Sequence, residues 1–162
     1  MERVSKRNYY LDIAQTVLER ATCLRRVYGA IIVKNDEIIS TGYNGAPRGR
    51  KNCVDLGYCT REQLKVPRGE RYELCRSVHA EANAIIAAPR TEMLGATLYM
   101  CCTSPRDGSI MPDTSNCMMC KRMIINAGIE WVVIRDTKDD YRKIAVSDWL
   151  ENDDSLGTAL GY

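Results

Sequence analysis

Apolar residues recur at helical and then at strand spacing in the N-terminal part of the chain. Between positions 8 and 22 they lie three or four residues apart, which predicts an amphipathic helix. The segment GAIIVKNDEIISTGYNG then holds two β-branched runs on either side of Lys34, Asn35 and Asp36, a pattern typical of a β-hairpin. The chain is therefore predicted to begin with a helix and two antiparallel strands.

Helical and strand patterns alternate in the second half of the chain. Residues 78–88 predict a helix that Pro89 ends, and GATLYMC predicts a strand. Residues 117–127 predict a helix that stops near Gly128, and IEWVVIRD predicts a further strand. This order indicates a single α/β domain over residues 1–162, with helices packed on a central sheet.

One segment, residues 44–76, follows neither pattern. It is rich in Gly, Pro, Arg and Cys, and its periodicity is weak. A structureless connection of that length is unusual inside a domain, so we interpret it as a Cys-containing loop insertion that needs an anchor of its own.

Composition narrows the class of protein. At 162 residues, with 45% hydrophobic and 27% charged residues, the chain is typical of a soluble globular domain. A formal charge of +2 favours neither nucleic acid nor a membrane as partner. No apolar run approaches the roughly 20 residues that span a bilayer, and the start MERVSKRNYY lacks the apolar core of a secretory signal. These features predict a cytoplasmic protein.

The eight cysteines need an explanation other than disulfide bonds, because structural disulfides are rare in a reducing cytosol. Metal binding or catalysis is the more frequent use of cysteine there. Cys117 and Cys120, in CMMC, have the two-residue gap of a metal chelate, and a redox-active dithiol is the alternative interpretation.

His79 is the single histidine of the chain, and Glu81 follows two residues later. A histidine at the start of a helix is often only a structural residue, and an acidic residue in a first turn can simply complement the helix dipole. One imidazole and the two CMMC thiolates, however, would form a three-ligand zinc site with a fourth position open to water. A nearby carboxylate can then act as general acid and base in a hydrolysis.

Two pairs of segments carry a resemblance to a known family. HAEANAI and CMMCKRMIINAGIEWVVI resemble the zinc-dependent cytidine deaminase superfamily, whose pattern is H-x-E followed by P-C-x-x-C. ATCLRRVYGAIIVKNDEIISTGYNGAP and GERYELCRSVHAEANAI are similar to deoxycytidylate deaminases, including the competence-operon type. The resemblance covers most of residues 9–135. It implies a mixed sheet of about five strands sandwiched by helices, and hydrolysis of dCMP to dUMP and ammonia.

The resemblance also implies roles for individual residues. His79, Cys117 and Cys120 match the zinc ligands, and Glu81 matches the residue that transfers protons. The predicted substrate contacts are the Ala80 amide with the pyrimidine carbonyl, a carbonyl near Thr103 with the exocyclic amine, Asn44 with the sugar, and Arg25 with the 5′-phosphate, which Tyr141 would cap. For Arg25, an exposed charge at a helix end is the alternative.

The chain departs from the family pattern at three places. Asn116 stands where the family usually has proline, and extra residues precede it. Asp107 and Gly108 in this stretch are a strong hairpin signal, so residues 104–116 are interpreted as a hairpin-like insertion beside the pocket. Tyr28 replaces the more usual valine.

Four further cysteines precede the HAE motif, and related deaminases carry a second, structural zinc in this neighbourhood. The predicted ligands of that second zinc are Cys23, Cys53, Cys59 and Cys75. Four unrelated buried thiols are the alternative, since free cysteine is among the most buried residue types. Cys101 and Cys102 are excluded because they lie on a predicted core strand.

The resemblance implies partners as well. We expect a small-molecule nucleotide substrate, a homo-oligomer that is a dimer or a hexamer, and allosteric control by dCTP or dTTP. Two other functions compete: a deaminase acting on another cytosine nucleotide or nucleoside, or on a tRNA or single-stranded DNA base, and a catalytically silent, zinc-stabilised binding protein. A base-editing enzyme should add a basic groove with aromatic stacking residues, and the chain has no phenylalanine and little net charge.

Overall fold

The structure is a computed structural model that describes residues 1–152. The elements in chain order are α1 (Lys6–Val17), β1 (Val27–Lys34), β2 (Glu37–Tyr43), α2 (Cys53–Leu56), α3 (Thr60–Gln63), α4 (Ala80–Ile86), α5 (Arg90–Met93), β3 (Thr97–Thr103), α6 (Met118–Ala127), β4 (Trp131–Arg135), β5 (Tyr141–Ala145) and α7 (Ser147–Glu151). Short 3-10 turns lie at Leu18–Arg20 and Tyr72–Leu74. None of the helices in this part of the chain is long and apolar enough to cross a bilayer.

The five strands form one mixed sheet in the order β2-β1-β3-β4-β5. Strands β3 and β4 run parallel and are connected through α6, whereas all other neighbours are antiparallel. A parallel pair needs such a crossover, because its two strands start at the same edge of the sheet. The predicted α/β class and the five-stranded mixed sheet are confirmed.

Side chains that alternate along β1 fill two separate cores, one on each face of the sheet. Ala30 and Ile32 pack in the cluster that includes side chains of α4 and α6. Ile31 and Val33 point the other way and pack against α1. Because successive side chains of a strand face opposite sides, this nearly continuous apolar strand requires helices on both faces.

Gly42 in β2 allows α4 to lie directly against the sheet. A Cβ atom at this position would collide with the carbonyl oxygen of Ala80 and the amide of Ala84. Helix α4, which begins within the HAE motif, therefore lies in backbone contact with β2, and it also packs on β1.

Two predicted segments differ in detail from the structure. The predicted helix 8–22 is α1 followed by a 3-10 turn, so the regular helix ends at Val17. The segment 44–76 contains α2, α3 and a second 3-10 turn, each of at most four residues. Elements this short have too few residues to show helical periodicity, which is why the pattern was weak.

Strand β5 and helix α7 were not predicted from the sequence. The β5 sequence YRKIA contains two cations, and its side chains are mostly half-buried. Within residues 1–152, strand β5 is an edge strand whose one neighbour is β4, and charged side chains are common on such strands. Residues 153–162, the end of the predicted domain range, lie outside the described residues.

The predicted hairpin-like insertion 104–116 begins with a tight turn at residues 104–109. Ser104 and Gly108 close the turn, and Gly108 has the left-handed backbone conformation that glycine permits. Thr103 and Ile110 form a single β-bridge, after which the chain leaves the sheet and runs to α6.

Candidate metal centre

His79 is the N-cap residue of α4 and follows the segment 44–76. Its neighbour Val78 exchanges two backbone hydrogen bonds with Gly45, at 2.7 and 3.2 Å. The ring of Tyr72 packs edge-on against the imidazole, with 5.3 Å between ring centroids. The bridge and the aromatic ring together restrict the orientation of His79.

Cys117 and Cys120 are brought together by the start of α6. Cys117 is the N-cap residue, and its Sγ accepts a hydrogen bond of 3.4 Å from the Cys120 amide. Both thiols are buried. The amino-terminal end of a helix carries a partial positive charge, which favours the thiolate forms that bind metals.

The structure places these two thiols and the histidine around one point. His79 Nδ1 lies 3.4 Å from Cys117 Sγ and 3.4 Å from Cys120 Sγ, and all three atoms lie within 4.8 Å of one another. In a tetrahedral zinc site, nitrogen and sulfur ligands are about 3.6 Å apart, given Zn–N of about 2.0–2.1 Å and Zn–S of about 2.3 Å. The donor set and its spacing therefore fit zinc, with one coordination position left over.

Protonation of the cluster shows how strongly its members interact. Burial disfavours the imidazolium form of His79, but hydrogen bonds with Cys117 and Cys75 outweigh burial and raise the pKa to about 10. A hydrogen bond with Cys120 lowers the pKa of Cys117 to about 4 although burial opposes this. The same hydrogen bond and burial raise the pKa of Cys120. Zinc takes neutral imidazole and thiolates, so its binding displaces the shared protons.

Glu81 lies in the first turn of α4 and is buried, with 1% of its surface exposed. It is not a member of the three-ligand cluster, but its charge raises the pKa of His79. Its Oε2 accepts a hydrogen bond of 2.9 Å from Nδ2 of Asn116, which is also buried. A carboxylate removed from water in this way needs hydrogen-bond donors.

A cavity of about 200 Å³ opens beside His79 and Glu81. Among residues 1–152, four arginines line it and Glu81 is the one acidic lining residue, so this wall is strongly basic. The lining residues are Cys23, Arg25, Arg26, Tyr28, Asn44, Cys59, Arg61, Arg68, Tyr72, Cys75, Ser77, His79 and Glu81. Such a wall suits an anionic group bound next to the metal cluster.

Arg25 and Asn44 both line this cavity, as predicted substrate contacts would. The Arg25 guanidinium makes a 2.9 Å ion pair with Glu62 in the surface-exposed rim. The buried Asn44 side chain accepts a hydrogen bond from the Tyr28 amide and donates one to the Arg26 carbonyl, at 2.8 and 3.0 Å. Asn44 therefore ties the end of β2 to the start of β1, and its contact with a sugar stays a prediction.

The other three predicted contacts, Ala80, Thr103 and Tyr141, are not among the residues that line the cavity. Ala80 is buried in the first turn of α4, directly after His79. Thr103 is buried at the end of β3. Tyr141 packs on the α1 face of the sheet, where its ring lies 5.8 Å from the Arg7 guanidinium. Because the cavity lies by α4 on the opposite face, Tyr141 is not where a phosphate-capping residue should be.

The predicted ligands of a second zinc are near one another but do not form a closed cluster. Cys23, Cys59 and Cys75 line the cavity, and Cys53 begins α2. The pKa of Cys53 is raised first by burial and also by the charges of the other three thiols. No three of these four thiols, all within the described residues, lie within 4.8 Å of one another. A four-thiolate site therefore requires side-chain rotation.

Sequence reasoning missed several residues of the site. Arg61 is buried, stacks over the Tyr72 ring at 4.3 Å, and donates hydrogen bonds to the Pro67 and Glu70 carbonyls. Arg61 and Tyr72 belong to the segment 44–76, whose richness in arginine was the available signal. That signal could not show which arginines face the cavity, since no periodic element carries them.

Known proteins with similar sequences belong to a family that binds zinc, as the His79, Cys117 and Cys120 cluster suggests. Residues 4–135 match the family model described as the cytidine and deoxycytidylate deaminase zinc-binding region. The chain is 36% identical over 138 residues to the deoxycytidylate deaminase of Mycobacterium phage D29, covering 82% of this chain and 96% of that protein. It is 34% identical over 131 residues to the Schizosaccharomyces pombe deoxycytidylate deaminase, covering 81% of this chain but 37% of the yeast protein.

A solved structure shows the same fold. The crystal structure of the dCMP deaminase from the cyanophage S-TIM5, in complex with dCMP and dUMP, superposes with a TM-score of 0.53 at 25% identity. The superposition covers 83% of this chain and 84% of the phage chain.

Proposed function

The chain belongs to the cytidine and deoxycytidylate deaminase family, and from this we propose that it hydrolyses dCMP to dUMP and ammonia with the help of zinc. The observation that carries the proposal is the 3.4 Å spacing of His79 Nδ1 from the Cys117 and Cys120 thiols, with buried Glu81 two residues beyond the histidine. The relatives named deoxycytidylate deaminases favour a mononucleotide over nucleic acid as the substrate.

In this proposal His79, Cys117 and Cys120 hold the zinc ion, which when bound lowers the pKa of water in the site. Glu81 accepts a proton from the attacking water and passes it to the ring nitrogen of cytosine. It then moves the second water proton to the amino group, which leaves as ammonia. The carboxylate ends in its starting state, and one water is consumed for each ammonia released.

The remaining side chains bind and orient the nucleotide in the cavity. We propose that the Ala80 amide and the carbonyl of Thr103 contact the base, and that Asn44 contacts the sugar. Arg25 lies at the cavity rim. Arg26 and Arg68 also line the cavity, and among residues 1–152 neither has a carboxylate within 4.0 Å that would compete with a phosphate. Guanidinium groups of this kind can hold a 5′-phosphate through paired hydrogen bonds.

The proposed reaction is tested by measuring ammonia release from the zinc-loaded protein with dCMP, dCTP, cytidine and deoxycytidine. We expect dCMP to give the highest kcat/KM of the four. No ammonia from any of them would contradict the proposed enzyme activity, and a preference for cytidine would contradict the proposed substrate.

Phosphate recognition gives a separate prediction. We expect kcat/KM for dCMP to exceed that for deoxycytidine by about 100-fold or more, because charge-assisted hydrogen bonds to phosphate are worth about 1.5–3 kcal/mol each. Arg25→Ala should lower kcat/KM for dCMP by about tenfold and leave deoxycytidine unaffected. Arg106→Ala, at an exposed arginine outside the cavity, is the matched control. Equal kcat/KM for the two substrates would reject phosphate recognition.

We also propose that Cys23, Cys53, Cys59 and Cys75 close around a second, structural zinc ion. This second site is supported by the proximity of the four thiols, which come from separate parts of the chain. The charges of the other three thiols raise the pKa of Cys53. We expect two zinc ions per chain by mass spectrometry, and one in Cys53→Ser together with a lower melting temperature. One zinc in the wild type, unchanged by Cys53→Ser, would show that these are separate buried thiols.

Three further properties stay predictions, the first two from the family and the third from composition. They are assembly into a homodimer or homohexamer, regulation by dCTP or dTTP, and a cytoplasmic location. Exposed apolar side chains such as Ile86, which is 70% exposed at the end of α4, are available for an interface between copies.

A further inference from the structure

Asn116 makes a contact that the pattern of motifs did not reveal. Its Nδ2 atom lies 2.9 Å from Oε2 of Glu81 and 3.6 Å from the sulfur of Met100. A carboxylate only accepts hydrogen bonds, so the amide nitrogen is the end of Asn116 that must face Glu81. Both side chains are almost fully buried, at 3% and 1% exposure, so this hydrogen bond is shielded from water.

The other end of the Asn116 amide argues against a purely structural role. Among the described residues, its buried Oδ1 atom has no hydrogen-bond partner. A buried polar atom without a partner destabilises a fold, and an apolar side chain of similar size would avoid that cost. Of the two contacts of Nδ2, the 2.9 Å hydrogen bond with the Glu81 carboxylate is the shorter, and the 3.6 Å contact with the Met100 sulfur involves only a weak acceptor.

The segment before Asn116 is held in place from outside the site. Arg142 in β5 donates a 2.6 Å hydrogen bond to the carbonyl of Thr114, whose side chain is buried. Arg142 also makes a 2.8 Å ion pair with Asp136, and Asp136 accepts a 2.8 Å hydrogen bond from the Asp113 amide. Two separate contacts with β5 and its preceding turn thus fix the backbone that presents Asn116.

We propose that Asn116 is a positioning residue for Glu81. Its Nδ2–H group holds Oε2, so that the carboxylate cannot rotate and Oε1 is left to exchange protons with water and substrate. This role rests on the proposed deaminase function, in which Glu81 is the residue that moves the protons. The insertion 104–116 then has a function, because it carries into the site a donor that proline lacks at this position.

The test compares two variants of zinc-loaded protein on dCMP. Asn116→Ala removes the donor, and Asn116→Asp keeps the shape but replaces the donor with an acceptor. We expect kcat to fall about tenfold or more in both, with KM within about threefold of the wild type and zinc content unchanged. Asn126→Ala, at an exposed asparagine of α6, should leave kcat unchanged.

Coupling to Glu81 separates positioning from general damage to the fold. In a Glu81→Gln background, Asn116→Ala should lower the residual kcat by less than about twofold, because the group it positions has already lost its function. The side-chain amide NMR resonances of Asn116 provide a readout that does not depend on activity, and they should shift in Glu81→Gln but not in Asn126→Ala.

The outcomes distinguish this proposal from the function on which it rests. A wild-type protein that releases no ammonia from dCMP would overturn the function and this role with it. An active wild type with kcat retained in both Asn116 variants would overturn the positioning role alone. The positioning role would also be overturned if Asn116→Ala lowered kcat by the same factor in the wild-type and Glu81→Gln backgrounds. The same conclusion would follow if the Asn116 side-chain amide resonances did not shift in Glu81→Gln.

Discussion

Glu81→Ala is expected to lower kcat for dCMP deamination by about 100-fold or more while zinc stays bound. General acid and base catalysis by one positioned side chain contributes about 10²–10⁴-fold to a rate, and in the described part of the chain Glu81 is the one acidic side chain that lines the cavity. Zinc should be retained because Glu81 lies outside the cluster of His79, Cys117 and Cys120. The measurements are steady-state ammonia release and zinc content by mass spectrometry.

The matched control for Glu81 is Glu130→Ala. Glu130 is an exposed carboxylate between α6 and β4 and does not line the cavity. Its substitution should leave kcat unchanged. Turnover near the wild-type level in Glu81→Ala would remove Glu81 from the proton transfers, and loss of zinc from the same variant would make it a metal ligand instead.

Cys120→Ala is expected to abolish activity through loss of the catalytic zinc. The variant leaves two of the three ligand atoms that lie within 4.8 Å, and a single imidazole with one thiolate binds zinc far more weakly than the full set. We expect the bound zinc to fall by one ion per chain after dialysis against a chelator, with dCMP turnover below detection.

Cys101→Ala provides the comparison for this prediction. Cys101 is equally buried, but it lies on β3 in the α1 core and outside the ligand cluster. Its zinc content and turnover should match those of the wild type, although truncating a buried side chain will lower the melting temperature. Undiminished zinc in Cys120→Ala would show that the ligand set is wrong.

Local patterns in the sequence predicted those helices and strands whose apolar residues recur with a clear period. Strand β1 is a continuous apolar run, α6 ends at Gly128 with φ of +80°, and the turn between β1 and β2 has positive φ at Asn35 and Asp36. In each case the signal and the structure it specifies lie within a few residues. The short helices of 44–76 and the charged edge strand β5 have no comparable signal, since their positions depend on what packs beside them.

The candidate site divides in the same way. The histidine of H-x-E and the two cysteines of C-x-x-C were recognisable as candidate metal ligands, because each motif lies at one helix start. Only the tertiary structure showed that Tyr141 faces α1 and that Arg61 and Arg68 line the cavity. These relations join residues distant in sequence, so no local period records them.

The sequence by itself therefore determined the fold class and pointed to His79, Cys117 and Cys120 as candidate zinc ligands and to Glu81 as the candidate acid and base. The tertiary structure decided how Glu81 is held. Asn116 meets Glu81 across 35 residues of sequence, and its backbone is supported by Arg142 from a strand that had no clear pattern. A hydrogen bond between distant segments depends on how helices and strands pack, and packing is a property of the whole chain rather than of any one motif.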